Sequence, residues 1–269
     1  MSDLRIGVTG CRGRMGKMIV QAILETPGCV LAGGTARPDD EALGMDLGEL
    51  SGVGHQGARV TGDPVAMFAA SDAVIDFSAP RLTQKHADLA AQSEVAYVIG
   101  TTGLDDVAQD AVHRAARHTQ VVQAPNMSLG VNLLLDLVEQ VAKALDPAFD
   151  IEIQEMHHRH KVDAPSGTAL ALGRAAAEGR GVDLDDVADR ARDGHTGARE
   201  PGNIGFAVLR GGDVPGEHTV TFAGTGERID LTHKAGSRAI FAQGSVKAAL
   251  WAHNQDPGHY DMKDVLGLR

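Results

Sequence analysis

The sequence predicts a protein of the α/β plus α+β class, with a Rossmann-like parallel-sheet domain and a second, mostly antiparallel domain. Three observations predict this fold. A glycine-rich turn follows the first strand pattern, as in dinucleotide-binding domains. Strand and helix patterns then alternate, which is typical of a parallel sheet. Beyond residue 150 the strands alternate apolar and polar residues, which favours an antiparallel sheet with one solvated face.

The first 34 residues predict a complete βαβ unit. Leu4–Thr9 alternates like a strand, Gly10–Gly16 is the turn, apolar residues at helical spacing follow, and Cys29–Gly34 is a second strand. The glycines would let the backbone approach a pyrophosphate, and the helix start adds partial positive charge. The spacing G-x-x-G-x-x-G is a variant of the usual fingerprint, and a glycine turn without a ligand would have the same composition.

The end of the second strand bears on cofactor choice. An acidic side chain at this point binds the adenosine ribose and favours NAD. This chain has Thr35-Ala36-Arg37 instead, with no acid until Asp39. Arg37 could pair with the 2′-phosphate of NADP(H), so the pattern favours NADPH or a relaxed preference. An exposed loop cation is the alternative interpretation of Arg37.

Further strands are predicted at 73–77, 96–100 and 120–123, with helices at 81–92, 105–118 and 129–145. Ligands of such sheets lie beyond the carboxyl ends of the strands, so Gly10, Ser78, Gly100 and Ala124 are expected to converge. Ordinary strand-to-helix turns would give the same residues. Residues 36–64 are interpreted as a long loop with one short helix.

The second domain is predicted from strands at 150–155, 206–210, 217–222 and 228–233, with a hairpin turn at 224–227. A helix at 240–253 would return to the first domain, and residues 254–269 are interpreted as a polar tail folded over it. The predicted domains are therefore 1–127 plus 240–269, and 128–239.

Composition limits the possible partners. The chain has 269 residues and a formal net charge of −11, which argues against nucleic acid as a partner. No apolar run has membrane-spanning length and no signal peptide precedes the first strand, so no membrane partner is expected. Cys11 and Cys29 form no CxxC pair, which favours reduced thiols and a cytoplasmic location.

The segment from Glu155 to Thr168 concentrates the chemistry. It contains three histidines, Arg159, Lys161 and the turn Pro165-Ser166-Gly167-Thr168 before a helical pattern. Ser166 or Thr168 would cap that helix, whose free N–H groups favour a carboxylate or phosphate. The segment predicts a site that binds an anionic small molecule and transfers a proton. A solvated basic loop is the alternative, whereas a metal site is disfavoured because the two cations would repel a metal ion.

This segment, together with Gly13-Arg14-Met15-Gly16, Gly100-Thr101-Thr102-Gly103 and Gly194-His195-Thr196-Gly197, closely resembles the bacterial 4-hydroxy-tetrahydrodipicolinate reductase family over essentially the whole chain. The resemblance implies a Rossmann cofactor domain, and a substrate domain whose sheets build a homotetramer. It also implies reduction of a cyclic dicarboxylate by NADPH or NADH in lysine and diaminopimelate biosynthesis.

The resemblance also implies roles for individual residues. His157 matches the acid/base, Lys161 the proton donor, His158 a substrate contact, and Gly167 and Thr168 the carboxylate-binding turn. The implied cofactor contacts are Gly10, Cys11, Arg12, Gly13, Arg14, Met15, Gly100, Thr101, Thr102, Ala124, Pro125, Asn126 and Met127. Many members have an acid where this chain has Ala36, which leaves Arg37 as the expected 2′-phosphate contact. Which of His157 and Lys161 donates directly, and whether the hydroxylated or dehydrated ring reacts, stays open.

Two other classes of protein share part of this pattern. A two-domain dehydrogenase acting on an amino or oxo acid would have the Rossmann half, but it would not need the histidine-rich segment followed by Ser-Gly-Thr. An NAD(P)-sensing regulator would retain the glycine turn without a proton donor beside an anion site. Such a regulator would usually add a basic DNA-binding element, which the charge of −11 argues against.

Overall fold

The computed structural model describes residues 3–269, and its chain divides into two compact units. The first consists of Met1–Leu129 and Arg238–Arg269, and the second of Gly130–Ser237. Each unit has its own sheet, so that the two-domain fold class predicted from the sequence is confirmed.

The first unit is built on a seven-stranded sheet in the order β12-β6-β5-β4-β1-β2-β3, and every neighbouring pair is parallel. Its strands are β1 (Leu4–Thr9), β2 (Cys29–Thr35), β3 (Val60–Thr61), β4 (Ala73–Asp76), β5 (Ala96–Ile99), β6 (Gln120–Gln123) and β12 (Gly258–Tyr260). Its helices are α1 (Arg14–Glu25), α2 (Leu47–Leu50), α3 (Pro64–Ala69), α4 (Pro80–Ser93), α5 (Asp106–Ala115), α9 (Ala239–Ala252) and α10 (Met262–Leu266).

Helices cover both faces of this sheet. Ala73 and Ile75 of β4 pack in one buried cluster with α1 and α9, whereas Val74 packs in a second cluster with α3, α4 and α5. Successive side chains of a strand point to opposite faces, so the two clusters lie on opposite sides of the sheet. Coverage of both faces explains why these strands appear in the sequence as continuous apolar runs.

Four short elements of this unit differ from the sequence interpretation. The 36–64 loop contains β3 as well as the expected short helix, α3 follows it, and the 254–269 tail contributes β12 and α10. The short strands pair in parallel with their neighbours at the two edges of the sheet. Two or three residues are too few to show a period of alternation, so tertiary pairing decides their structure.

The second unit contains a five-stranded sheet in the order β11-β10-β7-β9-β8. Its strands are β7 (Asp150–His157), β8 (Ala188–Asp189), β9 (Ile204–Arg210), β10 (Glu217–Gly224) and β11 (Glu227–Lys234). Its helices are α6 (Leu129–Ala144), which begins at the last residue of the first unit, α7 (Gly167–Arg180) and α8 (Leu184–Val187). Apolar side chains of α6 and α7, such as Val138 and Leu172, pack on Ile151 and Ile153 of β7.

This second sheet is mixed. The pairs of β10 with β7 and β11 are antiparallel, as expected, but β9 pairs in parallel with β7 and with β8. The helix α7 lies between β7 and β9 in the chain, and a helical crossover returns the chain in the same direction. Period-two alternation alone does not reveal strand direction, so the parallel pairs could not be predicted from it.

Candidate active site

The glycine turn between β1 and α1 is tightly packed. Gly10 has a φ of +64°, and a Cβ there would lie 3.1 Å from the Phe77 carbonyl oxygen. A Cβ on Gly16 would overlap the Gly10 carbonyl oxygen. Helix α1 has Gly13 at its N-cap, and no side chain caps the helix. The N–H groups of its first turn could therefore bind an anion.

Within this turn, Cys11 points inward while its neighbours are exposed. The thiol is buried, and burial raises the pKa of Cys11 to about 11. A Cβ on Gly34 would lie 2.8 Å from the Cys11 Cβ, so this side chain packs on β2. Arg12, Gly13 and Arg14 are exposed, and Met15 is half-buried. Cys11 could therefore contact a cofactor only through its backbone.

A cavity of about 200 Å³ lies beside the end of β2. Its lining includes Ala36, Arg37, Ser78 and Lys85. The Arg37 side chain is 72% exposed, and its Nη2 lies 4.0 Å from Asp40 Oδ2. The Ser78 hydroxyl is buried and has no hydrogen-bond partner among residues 3–269. Two cations and an unsatisfied hydroxyl therefore line this cavity.

Arg12 is held in shorter ion pairs than Arg37. Its Nη1 lies 2.6 Å from Asp40 Oδ1, and its Nη2 donates to Glu41. A hydrogen bond from the Ala42 N–H and the Arg12 guanidinium hold the pKa of Asp40 below its usual range. Arg12 would have to exchange these partners to contact a cofactor through its side chain.

Asp76, the last residue of β4, holds the neighbouring strand ends together. This fully buried carboxylate accepts hydrogen bonds from Ser78 N at 2.8 Å, His86 Nδ1 at 2.7 Å, Tyr97 Oη at 2.5 Å and Thr101 Oγ1 at 3.2 Å. Burial opposes ionisation, but His86, Ser78 and Tyr97 together hold the pKa of Asp76 well below its ordinary value. Asp76 therefore fixes the loops that follow β4 and β5.

The remaining predicted cofactor residues line two further cavities of the first unit. One, of about 270 Å³, is lined by Met15, Phe77, Gly100, Pro125, Asn126, Met127, Arg238 and Phe241. The other, of about 340 Å³, is lined by Thr101, Thr102, Gly103, Leu104, Gln109, Gln123, Ala124 and Pro125. Both cavities are therefore lined by residues that follow β5 and β6, and Pro125 lines both. The sequence interpretation missed Arg238 and Phe241, which the return of α9 brings into the first of these cavities.

In the second unit, His157 ends β7 and sits on a buried carboxylate. Its Nδ1 lies 2.7 Å from Glu155 Oε2, and its side chain is 12% exposed, against 1% for Glu155. The burial pattern of β7 places Glu155 on the core-facing side with Ile151 and Ile153. The alternation that builds the core therefore also places this polar group beneath His157.

Two residues that the sequence interpretation missed complete this cluster. Arg210, which is paired in register with His157 on β9, donates from Nη1 and Nη2 to Glu155 at 2.8 and 2.9 Å. His218, in register with Glu155 on β10, stacks edge-on against His157 with ring centroids 5.1 Å apart. Burial, followed by the charge of His157, lowers the pKa of His218 to about 4. The alternation of His218 with Val220 and Phe222 was the available signal, because it predicts a core-facing imidazole.

The chain turns after His157 and is no longer extended. The His158 N–H donates to the Val214 carbonyl at 2.8 Å, and the Lys161 N–H donates to the His158 carbonyl at 3.1 Å. The Lys161 side chain is 19% exposed, and its Nζ lies 2.8 Å from both oxygens of Asp163. Alternation between two faces therefore stops at His157, and a turn carries His158 and Lys161.

Helix α7 begins with the predicted Ser-Gly-Thr turn, and Ser166 is the N-cap. The Ser166 hydroxyl accepts from Ala169 N at 3.1 Å and lies 3.0 Å from His218 Nε2, while Ser166 N donates to Glu155 Oε1 at 3.0 Å. Gly167 is exposed, and a Cβ there would meet nothing within 4 Å. Packing within the described chain therefore does not require glycine at 167, whereas a ligand bound against the backbone would.

Residues 3–269 contain no group of three or more His, Cys, Asp or Glu residues that could hold a metal ion. None of their helices combines the length and the apolar composition needed to cross a membrane.

The fold and these clusters define a class: proteins that join a Rossmann-type domain to a second unit with a histidine- and lysine-bearing turn. Two family models described as dihydrodipicolinate reductase match the chain. The N-terminal model matches residues 4–127, and the C-terminal model matches residues 130–266. The chain therefore belongs to the dihydrodipicolinate reductase family, which confirms the predicted resemblance.

Individual relatives agree with this membership. The chain is 56% identical over 268 residues to 4-hydroxy-tetrahydrodipicolinate reductase of Methylocella silvestris, covering 100% of this chain and 98% of that protein. It is 57% identical over 263 residues to the enzyme of the same name from Ruegeria pomeroyi, covering 98% of each. A dipicolinate-bound dihydrodipicolinate reductase from Paenisporosarcina sp. TG-14 superposes with a TM-score of 0.77 at 24% identity, covering 96% of this chain and 97% of that one. The last comparison supports the fold alone.

Proposed function

We propose that this chain is an oxidoreductase that reduces 4-hydroxy-tetrahydrodipicolinate with a nicotinamide cofactor, in lysine and diaminopimelate biosynthesis. The observation that carries the proposal is the segment 157–168. It joins an acid/base imidazole held by a carboxylate, a lysine cation and the N-terminus of α7, where Ser166 is the N-cap and Gly167 is exposed. Neither an amino-acid dehydrogenase nor a cofactor-sensing regulator would need this combination in addition to a glycine turn.

The first unit would bind the cofactor, which supplies a hydride when bound. The residues proposed to hold it are those predicted from the sequence: Gly10, Cys11, Arg12, Gly13, Arg14, Met15, Arg37, Gly100, Thr101, Thr102, Ala124, Pro125, Asn126 and Met127. The tight glycine turn, the uncapped start of α1 and the unsatisfied Ser78 hydroxyl fit such a ligand.

We further propose that NADPH is preferred over NADH. Ala36 removes the acid that would bind the ribose hydroxyls, and Arg37 and Lys85 line the same cavity. Arg37 is highly exposed and lies 4.0 Å from Asp40, so a 2′-phosphate could recruit it without breaking a short ion pair. A planar guanidinium suits bidentate binding of such a phosphate.

The second unit would bind the dicarboxylate and protonate it. Gly167 and Thr168, at the start of α7, would bind one carboxylate, and His158 would contact the substrate. Lys161 would donate the proton and His157 would act as the acid/base, because charge develops on the ring atom next to the one that accepts the hydride. A homotetramer, which rests on the family resemblance, and a cytoplasmic location, which rests on the use of cysteine, belong to the same proposal.

The test is oxidation of NADPH and of NADH by the full chain, with substrate formed in situ from pyruvate and aspartate semialdehyde. Turnover is expected with NADPH at the higher kcat/KM. Arg37→Gln should lower kcat/KM for NADPH by about tenfold to a hundredfold, since a hydrogen bond to a charged group contributes about 1.5–3 kcal/mol. The NADH value should hardly change in that variant, and Arg117→Gln, an exposed cation outside the cavity, is the matched control.

Lys161→Ala in the same assay should lower kcat by about 10²–10⁴-fold, the usual contribution of a positioned proton donor, with a smaller change in KM. An intact kcat would reassign the donor to His157. Binding of NADPH without turnover by the unmutated chain would refute the proposed reaction.

A further inference from the structure

The proposed function uses His157 as an acid/base but does not say what the buried carboxylate beneath it does. We propose that Glu155 is a positioning residue that keeps the proton of the neutral His157 ring on Nδ1, so that Nε2 is the atom that exchanges a proton with the substrate. Arg210 and the Ser166 backbone hold Glu155 in place for this task. The proposal deepens the proposed function, because it rests on His157 acting as an acid/base.

The hydrogen-bond geometry leaves Glu155 little freedom. Its Oε2 receives His157 Nδ1 at 2.7 Å and Arg210 Nη1 at 2.8 Å, while Oε1 receives Arg210 Nη2 at 2.9 Å and Ser166 N at 3.0 Å. These four donors come from three places: the end of β9, the N-cap of α7 and the end of β7. A bidentate guanidinium contact of this kind fixes the plane of a carboxylate.

The charge state of Glu155 decides which proton His157 carries. Burial opposes ionisation of Glu155, but Arg210, His157 and the Ser166 N–H together hold its pKa below the ordinary value. An ionised carboxylate can only accept hydrogen bonds. The atom of the ring that faces it must therefore carry the hydrogen, and Nε2 of the neutral ring must be the acceptor.

The surroundings of Nε2 are consistent with this assignment. A Cβ on Gly216 would lie 3.0 Å from His157 Nε2, so glycine at this position leaves that atom uncrowded. Glu155 and His218 contact the ring directly, Arg210 binds Glu155, and the charge of Lys161 acts on His218. Of these, only Glu155 has an acceptor within hydrogen-bond distance of Nδ1 in the described contacts.

The direct test is the tautomer of His157, measured by ¹⁵N NMR on the full chain labelled in histidine, at a pH where the ring is neutral. Comparison with His157→Gln assigns the resonance. The hydrogen is expected on Nδ1. In Glu155→Gln, the single carbonyl oxygen should be taken by Arg210 and Ser166 N, so that the amide NH₂ faces Nδ1 and drives the hydrogen to Nε2.

Turnover provides the second readout. Glu155→Gln should lower kcat by about tenfold or more while KM for substrate changes by less than about threefold, since a wrong tautomer removes an acid/base without removing a binding contact. Glu152→Gln is the matched control. Glu152 lies on the same strand and accepts hydrogen bonds from Arg192 and Arg199, yet it does not contact His157. It should leave both tautomer and kcat unchanged.

Several outcomes would overturn the inference. A hydrogen on Nε2 in the unmutated protein refutes it even if Glu155→Gln does not fold. An unchanged kcat in a folded Glu155→Gln variant, or an equal loss in Glu152→Gln, would reduce Glu155 to a structural group. If the unmutated chain does not turn over, the proposed function fails, but the tautomer remains measurable and is judged separately.

Discussion

Each unit of this protein contains a buried carboxylate that binds the Nδ1 of a histidine. Asp76 and His86 form this pair in the first unit, and Glu155 and His157 form it in the second, with N–O distances of 2.7 Å in both. The two carboxylates are 0% and 1% exposed, and their surroundings lower the pKa of each.

The pairs differ in where the imidazole sits and in what else the carboxylate binds. His86 lies within α4 and its side chain is 5% exposed, whereas His157 ends β7 and is 12% exposed. Asp76 otherwise binds neutral donors from β5 and from the residues that follow β4 and β5, while Glu155 binds the cation Arg210. The same pair thus braces loops in one unit and is proposed to orient an acid/base in the other. The two roles differ because His86 lies within a helix whereas His157 lies at a strand end; the carboxylate–imidazole pair is the same in both units.

Removal of the Asp76 carboxylate tests whether this residue stabilises the first unit. Asp76→Ala should lower the free energy of unfolding of the first unit by about 3–5 kcal/mol, the usual cost of removing one partner of a buried charged pair. His86 and Tyr97 would then lack their acceptor. Denaturant unfolding followed by the fluorescence of Trp251, the single tryptophan and part of this unit, measures the change.

Asp72→Ala is the control for that experiment. Asp72 pairs with Arg5 at 2.6 Å, but the Arg5 side chain is 53% exposed. Exposed pairs contribute about 0–1 kcal/mol, so this variant should unfold nearly as the unmutated chain does. Equal losses in the two variants would show that burial does not distinguish these carboxylates.

The stability of the two units should depend differently on pH, because His218 lies beside the Glu155–His157 pair only. Its pKa is lowered to about 4 by burial, and an unfolded histidine has a pKa of about 6.5. The unfolded chain therefore binds the extra proton first. The stabilisation is complete above about pH 6.5 and is lost as the pH falls toward 4, amounting to about 3 kcal/mol at most.

The corresponding loss from Asp76 begins only at lower pH. Its folded pKa is lowered, so its stabilisation is present above about 3.9, the ordinary aspartate value, and disappears as the pH falls below that value. Hydrogen exchange of the β10 amides, corrected for intrinsic rates, should therefore show loss of protection between pH 6.5 and 4 before Trp251 reports unfolding. His218→Gln should flatten this loss, and an unchanged pH dependence in that variant would exclude His218 as its source.

The sequence interpretation anticipated more of the first pair's surroundings than of the second's. The strand ends at Gly10, Ser78, Gly100 and Ala124 followed from alternation of strands and helices, since parallel strands all end at one edge. The partners of His157 did not follow in this way. Arg210 and His218 lie on strands 53 and 61 residues further along the chain, as the numbering shows, and only the register of β9 and β10 against β7 brings them to Glu155. Period-two alternation gives the face of a strand but neither its neighbour nor its direction.

Substitution of Thr101, for which we expect a small change, tests whether Asp76 influences the proposed cofactor site through this residue. The Thr101 hydroxyl is shared between the side chain and the carbonyl oxygen of Asp76, at 3.2 and 3.3 Å. Thr101→Val keeps the shape and removes this hydrogen bond, so the free energy of unfolding should fall by about 1 kcal/mol. Thr101→Ser retains the hydroxyl and should restore most of the loss.

Cofactor binding distinguishes two explanations for any functional change in these variants. If Thr101 is held by Asp76 so that the loop after β5 can contact the cofactor, Thr101→Val should weaken NADPH binding a few-fold and Thr101→Ser should not. A weakened affinity with unchanged stability would instead mean that the hydroxyl contacts the cofactor directly. In that case Asp76 would only stabilise the first unit. Glu155 would differ from it more clearly, because Glu155 is proposed to act on the reacting atom through His157.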